Sequence, residues 1–433
     1  MVRLYSLLWW LALPLALGRL WRRGAQEPGY RQHWNERLAL YRDRAANDEP
    51  HTIWVHAVSV GETRASEPLV QALLDTYPRS RILLTHMTPT GRATGKQLFG
   101  KHGARVVQSY LPYDTFSMVR RFIRHFEPRL CILMETEVWP SLIACCNEAR
   151  VPVVLANARL SERSLRKARR LGALMRGAAR GISLVAAQTE ADADRVRSLG
   201  VAHVDVTGSI KFDVQVPQAA LALGAQWRMQ VGARPVLLCA STREGEEELI
   251  LDAFQRALQA RTLPADTLLL LVPRHPQRFD AVAHMASERG LAVQRRSALA
   301  QPSMSVAPEV HVLLGDSMGE MFAYYALCDV AFIGGSLLPL GGQNLIEAAA
   351  LGKPVLIGEH TFNFAQVTED ALAAGGAVRV ATADELMSQA AQLLRDDAGR
   401  LAMGGRARDF AGQHKGATQR TLALLPALLQ AAA

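Results

Sequence analysis

The chain has 433 residues, 49% of them apolar and 21% charged. That balance excludes a disordered protein and allows two or three domains with sizeable cores. A formal net charge of +9, carried mainly by arginine, points to an acidic partner: nucleic acid, an anionic membrane surface or a phosphorylated substrate.

The first feature along the chain is a nearly all-apolar stretch, residues 4–20, LYSLLWWLALPLALGRL, followed by Arg22 and Arg23. It falls short of the roughly 20 residues of a standard span, and no small-residue cleavage site follows it. It predicts a membrane anchor over 1–23, either a short span or an interfacial helix, with a helix packed on the soluble body as the alternative. Basic residues downstream place the rest of the chain in the cytoplasm. Residues 24–50 are polar, carry Tyr30, Arg31, Trp34 and Arg37, and predict one helix.

Strands and helices then alternate. Strands are predicted over 52–58, 81–85, 130–134, 151–156, 184–188 and 203–207, and helices over 64–76, 91–99, 140–149 and 191–199. Residues 214–231 interrupt the rhythm and read as a linker plus helix. Strands resume over 236–240, 267–272, 310–314, 330–333 and 355–357, with helices over 246–260, 277–289 and 344–351. Residues 295–308 read as a loop, and only helices are expected after the last strand. Alternation of this kind predicts parallel sheets covered on both faces. The expected α/β architecture has two doubly wound, Rossmann-like domains, 24–213 and 232–410, joined by the 214–231 linker. A C-terminal helix over 411–433 completes it. A ligand cleft is expected between the domains, outside the carboxyl ends of both sheets. The five cysteines, Cys131, Cys145, Cys146, Cys239 and Cys328, form no C-x-x-C pair, and their odd number suits buried thiols in a reduced compartment.

The densest local signal is DVAFIGGSLLPLGGQNLIEAAALGKPVLIG, residues 329–358. It reads as strand, glycine turn, helix and strand, a βαβ unit with glycines where backbone must approach a ligand. A helix N-terminus there offers N–H groups to a phosphate. Asn344 and Glu347, three residues apart, share one side of its first turn, and a carboxylate suits a ribose diol. In the first half, Glu62 follows the strand at 52–58 and Glu135 and Glu137 follow the strand at 130–134. Glu62 is either a base for a substrate hydroxyl or a helix-start glutamate held by the dipole. Glu135 and Glu137 are either partners of that base or a capping pair. Lys211 can counter phosphate charge or simply sit on the surface. In the second half, Ser241–Glu246, Pro273–Arg274–His275–Pro276 and Gly315–Glu320 each follow a predicted strand and converge on one crevice. Walker A, G-x-G-x-x-G and H-E-x-x-H patterns are absent, and no D-x-D metal signature for a sugar nucleotide directly follows a predicted strand. That argues against a P-loop ATPase and a simple dehydrogenase, and favours chemistry without a metal.

Read in order, WVHAVSVGE (54–62), LLTHMTPTG (83–91), METEVWP (134–140), NARLSERS (157–164), GSIKFD (208–213), ASTREGEEE (240–248), LVPRHP (271–276), GDSMGE (315–320), GGS (334–336), GGQNLIEAA (341–349) and HTFNF (360–364) resemble the Kdo transferases. These enzymes carry 3-deoxy-D-manno-octulosonic acid (Kdo) onto lipid A precursors in Gram-negative bacteria. The resemblance runs from the anchor to about Phe410. It implies a two-domain GT-B fold, an inverting mechanism, CMP-Kdo as donor substrate and no separate cofactor. It implies Glu62 as general base, with Glu135 and Lys211 assisting. It implies CMP held by Pro273 and Arg274, by Met318, Gly319 and Glu320, and by Asn344, Leu345, Ile346 and Glu347. Gln343 and Arg243 stand where the family usually or often has histidine. The implied partners are CMP-Kdo, a lipid A precursor and the cytoplasmic surface of the inner membrane, with no nucleic acid. A Glu135 carboxylate beside Glu62 is expected to raise its pKa and strengthen it as a base. A transferase using another sugar nucleotide and a non-catalytic basic surface binder are the rival readings.

Overall fold

The computed structural model describes residues 1–41, 51–299, 301 and 304–431. The chain forms two compact units: Met1–Asp213 together with Lys415–Ala433, and Val214–His414.

The first unit is built on seven parallel strands: β1 (Thr52–His56), β2 (Arg81–His86), β3 (Val106–Tyr110), β4 (Pro128–Met134), β5 (Val153–Ala158), β6 (Leu184–Ala187) and β7 (Val204–Val206). Their order across the sheet is β3-β2-β1-β4-β5-β6-β7. The order reverses between β1 and β4, and loops at such a switch point open a crevice beyond the strand ends. The pleat explains why both faces need cover. Trp54 and Leu133 face one buried cluster, while Ile53, Val55, Ile132 and Met134 face another. The C-terminal residues return to this unit. Ala417, Leu422 and Leu425 pack into the second of those clusters, and Asp213 accepts hydrogen bonds from the Gly416 and Thr418 N–H groups at 2.6 and 2.5 Å.

The second unit has the strands β8 (Val236–Thr242), β9 (Leu268–Pro273), β10 (Val293–Arg295), β11 (Val312–Leu314), β12 (Val330–Ile333), β13 (Val355–Ile357) and β14 (Ala377–Arg379). They are ordered β10-β11-β9-β8-β12-β13-β14, again all parallel, with the reversal between β8 and β12. Residues 218–231 form a helix, Gln218–Val231, that packs within this unit: Trp227 lies 5.0 Å from Tyr324, centroid to centroid. All five cysteines are buried free thiols.

Several expected elements differ. In place of one helix over 24–50 there is a 3-10 turn, Pro28–Arg31, and a single helical turn, Trp34–Arg37. Pro28 lacks a backbone donor, and His33 turns left-handed at φ 55°, which stops a continuous helix. Residues 42–50 lie outside the described residues. The helix expected over 64–76 is split at Ser66 into Val60–Ala65 and Glu67–Thr76. Strand β3, the helix Phe116–Phe126 and the edge strands β10 and β14 were not expected; β14 interrupts the all-helical C-terminus.

The N-terminal helix runs Val2–Arg23 and is long and apolar enough to cross a membrane. One face docks on the first unit. Ser6 Oγ accepts a hydrogen bond from the Phe116 N–H at 3.0 Å, Leu13 is buried, and the Trp9 ring lies 5.8 Å from Tyr113. The opposite face, Leu4, Leu7, Leu8, Leu11 and Leu15, is exposed, at the i, i+3, i+4, i+7 spacing of one helical stripe.

Candidate active site

Glu62 stands in the first turn of Val60–Ala65, just past β1, and Glu135 and Glu137 stand just past the neighbouring strand β4. The switch point of the first sheet therefore carries three carboxylates. Ser59 caps the helix, and the Glu62 carboxylate reaches back to accept the Val58 N–H at 2.7 Å and the Ser59 hydroxyl at 3.5 Å. This is close to a capping box. The helix-start reading of Glu62 thus holds, and these bonds fix its carboxylate at this end of the sheet. Burial raises the Glu62 carboxyl to about 8; the nearby charges of Glu137 and Glu135 add to the rise, and the Val58 N–H opposes it. The expected cause is corrected accordingly, because desolvation leads and Glu137 comes before Glu135. Glu137 is itself raised by burial and accepts the Trp139 indole N–H at 2.9 Å.

Glu135 pairs with Lys211 at 2.8 Å. It holds a left-handed φ of 56°, a costly conformation for a residue with a side chain. Lys211 lies on a 3-10 turn, Ile210–Phe212, that Asn157 positions: its side-chain oxygen accepts the Ile210 N–H at 3.1 Å. Asn157 is fully buried at the end of β5, also with positive φ. The first unit thus brings Glu62, Glu135 and Lys211 to one end of its sheet, with Glu137, expected as a partner or cap, and Asn157, for which no role was expected, as supports.

In the second unit, Pro273 ends β9 and is buried, and the Arg274 N–H bonds the Thr242 carbonyl at the end of β8 at 2.9 Å. Burial and the charges of Arg243, Arg274 and Arg278 together push His275 down, although Arg278 is itself paired with Glu247 at 3.2 Å and Glu244 at 3.4 Å, so Arg243 and Arg274 carry most of the positive charge at this strand end. Such a field receives an anion. Met318 is exposed and Gly319 has φ 83°. Glu320 is held by Arg296 and by the Ser317 hydroxyl, and the Arg296 guanidinium lies 4.7 Å over the Trp227 ring. Asn344 accepts the Ile346 N–H at 3.0 Å and donates to Glu347 at 3.2 Å, so the expected pairing of these two side chains is present. The helix itself is shorter than expected, Ile346–Ala350, and its first N–H is already taken by Asn344. Leu345 and Ile346 are fully buried, backbone as well as side chain, and act here as packing under the Asn344–Glu347 pair.

One residue of the Ser241–Glu246 turn, expected there to face an anion, instead ties this end of the sheet together. Glu246, fully buried, accepts N–H bonds from Gly335 at 2.5 Å, Leu337 at 2.9 Å and Arg243 at 2.9 Å. It bridges the loops after β8 and β12 across the switch point. Glycine is required in the same place: a Cβ at Gly334 would lie 2.6 Å from the Thr242 Cα, and one at Gly358 would lie 2.1 Å from the Ser336 carbonyl oxygen.

Comparison with known proteins identifies the frame. Residues 32–214 match the family model described as 3-deoxy-D-manno-octulosonic-acid transferase (kdotransferase). A 3-deoxy-D-manno-octulosonic acid transferase of Bordetella pertussis is 47% identical, covering 94% of this chain and 95% of its own. The transferase of the same name from Haemophilus influenzae is 38% identical over 98% of each chain. Among solved structures, the UDP-GlcNAc 2-epimerase of Neisseria meningitidis bound to UDP-GlcNAc matches with a TM-score of 0.58 over 86% of this chain and 99% of its own, at 16% identity. That likeness shows the fold, two Rossmann-like units of the GT-B class. With near-complete matches at such identities, the chain belongs to the 3-deoxy-D-manno-octulosonic acid transferase family and is a glycosyltransferase that transfers Kdo.

Proposed function

We propose that the chain moves Kdo from CMP-Kdo to a hydroxyl of a tetraacylated, phosphorylated glucosamine disaccharide (the lipid A precursor lipid IVA) at the cytoplasmic face of the inner membrane. The observation that carries the reading is Glu62: a carboxylate fixed at the switch point, raised to about 8 by burial, beside a Glu135–Lys211 pair. A base with a pKa near the working pH combines adequate ionisation with adequate basicity. Glu62 takes the proton of the acceptor hydroxyl as its oxygen bonds to the anomeric carbon of Kdo. The bond from that carbon to the phosphate oxygen breaks, and CMP leaves with the electron pair. Attack opposite the leaving group inverts the configuration. The Glu135–Lys211 pair orients the reacting groups and offsets negative charge.

Arg243 and Arg274 supply the positive field for the CMP phosphate, with Arg278 tied to Glu247 behind them. The Asn344–Glu347 pair suits the ribose hydroxyls, and Met318–Glu320 with its Arg296 support completes the nucleotide contacts. No metal or separate cofactor enters the scheme. The docked N-terminal helix favours an interfacial anchor over a span, since one face is packed on protein and the other is an apolar stripe. The exposed arginines of Glu162–Arg170 suit anionic headgroups, not nucleic acid.

The test is transfer from freshly made CMP-Kdo to lipid IVA by the parent and by Glu62→Gln, with products resolved by mass. Product from the parent and near-complete loss in the variant support both reaction and base. Absence of parent product in a competent assay points to another donor or acceptor, and undiminished activity in Glu62→Gln moves the base elsewhere.

A further inference from the structure

The first unit contains a cavity of about 390 Å³ that the proposed mechanism leaves unused. Its walls are apolar side chains from β5 and from the helices Glu162–Arg170, Ala173–Arg180 and Glu190–Arg197, among them Leu155, Leu174, Met175 and Val196. Three other features mark it. Glu135, the partner of Lys211, is part of the wall, so the cavity begins at the proposed reacting centre. Tyr5, from the docked N-terminal helix, is part of it as well. Arg159 and Lys167 line it, and Lys167 is exposed, which places positive charge at the opening.

We propose that this cavity takes one acyl chain of the acceptor lipid, with the phosphorylated sugar held at the Arg159–Lys167 edge beside Glu135. The inference rests on the acylated acceptor named above. An apolar recess with cationic residues at its edge complements an amphiphile with an anionic head; a neutral sugar would leave both halves unused. A volume of about 390 Å³ lies within the range of small-molecule pockets and is ample for one medium-length chain. Tyr5 makes the docked N-terminal helix part of the cavity wall, so the proposed anchor and the cavity adjoin.

The full-length protein should be tested with alkyl phosphates of six to twelve carbons, below their micelle concentrations, and with acceptors whose acyl chains vary in length. Two cavity-filling variants, Leu174→Trp and the smaller Ala168→Leu, are compared with the parent after thermal melts confirm folding. In the parent, alkyl phosphate affinity should rise about fourfold per added methylene until the cavity is full. In the variants this dependence should flatten. Their KM for the acylated acceptor should rise at least tenfold with kcat little changed, while a fully deacylated acceptor is used as by the parent. Identical chain-length dependence in parent and variants would overturn the proposal. So would variants that lose binding to phosphatidylglycerol vesicles yet keep the parent KM, since the chain held would then be bulk lipid. If the parent transfers Kdo to no acylated glucosamine disaccharide, the acceptor reading fails, and the alkyl phosphate series still reports on the cavity by itself.

Discussion

Glu62 offers the sharpest test, because its proposed role needs the ionised form and its surroundings oppose ionisation. With the carboxyl raised from 4.5 to about 8, about one molecule in ten is ionised at pH 7 and about nine in ten at pH 9. A base works only when deprotonated. Hence kcat/KM for Kdo transfer should climb close to tenfold per pH unit below 8 and level off above it. Initial rates at subsaturating acceptor between pH 6 and 9.5 give the profile. Glu62→Gln should lower the rate by about 10²- to 10⁴-fold and remove this limb. Stability follows the same proton. A folded-state value raised from 4.5 to about 8 means that the native protein binds the proton more tightly than the unfolded chain. The contribution is fully present below 4.5 and is lost as pH rises through 8, by at most roughly 5 kcal/mol. The side chain is only partly buried, so a gain of ~1–3 kcal/mol for Glu62→Gln at pH 9 is the sensible expectation, with little difference at pH 5. Denaturant titrations at the two pH values measure it. An activity profile inflecting near 5, together with equal stabilities at pH 9, would refute burial as the cause and Glu62 as the base.

Glu135→Gln should move the activity inflection only slightly, because burial and Glu137 act on Glu62 before Glu135 does; a shift of a full pH unit would contradict that ordering. Lys211→Met leaves the half-buried Glu135 carboxylate without its partner at 2.8 Å and should cost ~1–3 kcal/mol in denaturant unfolding as well as activity, part of which Glu135→Gln in the same chain restores. Glu246→Ala strands three backbone N–H groups and should destabilise the protein by more than ~3 kcal/mol and weaken CMP binding in calorimetry. Leu8→Asp with Leu11→Asp should release the protein from sedimented vesicles while turnover of a detergent-solubilised acceptor persists. Chelation with EDTA should leave transfer unchanged.

The sequence made the central strands legible because they are fully buried parallel strands, which read as unbroken apolar runs such as 130–134 and 330–333. Edge strands escaped for the opposite reason. β3 carries Gln108 and Ser109, and β14 has only three residues, so neither shows a run long enough to register. The strand-end acids could be located by their position after such runs, but their electrostatics could not. What raises Glu62 is desolvation by the folded crevice, a property of packing with no signature in spacing. Glu246 was legible only as the end of an anion-contact turn, Ser241–Glu246, leading into three acids, Glu246, Glu247 and Glu248, that look like ordinary dipole compensation. Only the fold reveals that one of them meets N–H groups some 90 residues away in sequence, at Gly335 and Leu337.

The return of Lys415–Ala433 to the first unit bears on how the chain matures. The first 213 residues leave the ribosome early, yet Leu422 and Leu425 belong to their core and Asp213 clasps the N–H groups of Gly416 and Thr418. At roughly 5–20 residues per second, synthesis takes on the order of ten to forty seconds more before these late residues arrive. The second unit is continuous in sequence and can close first, although it is made second. The half that carries Glu62 therefore waits, with part of its core open and its apolar first helix exposed, until Lys415–Ala433 has been made. A nonsense codon at Lys415 would damage the unit made first and spare the one made second.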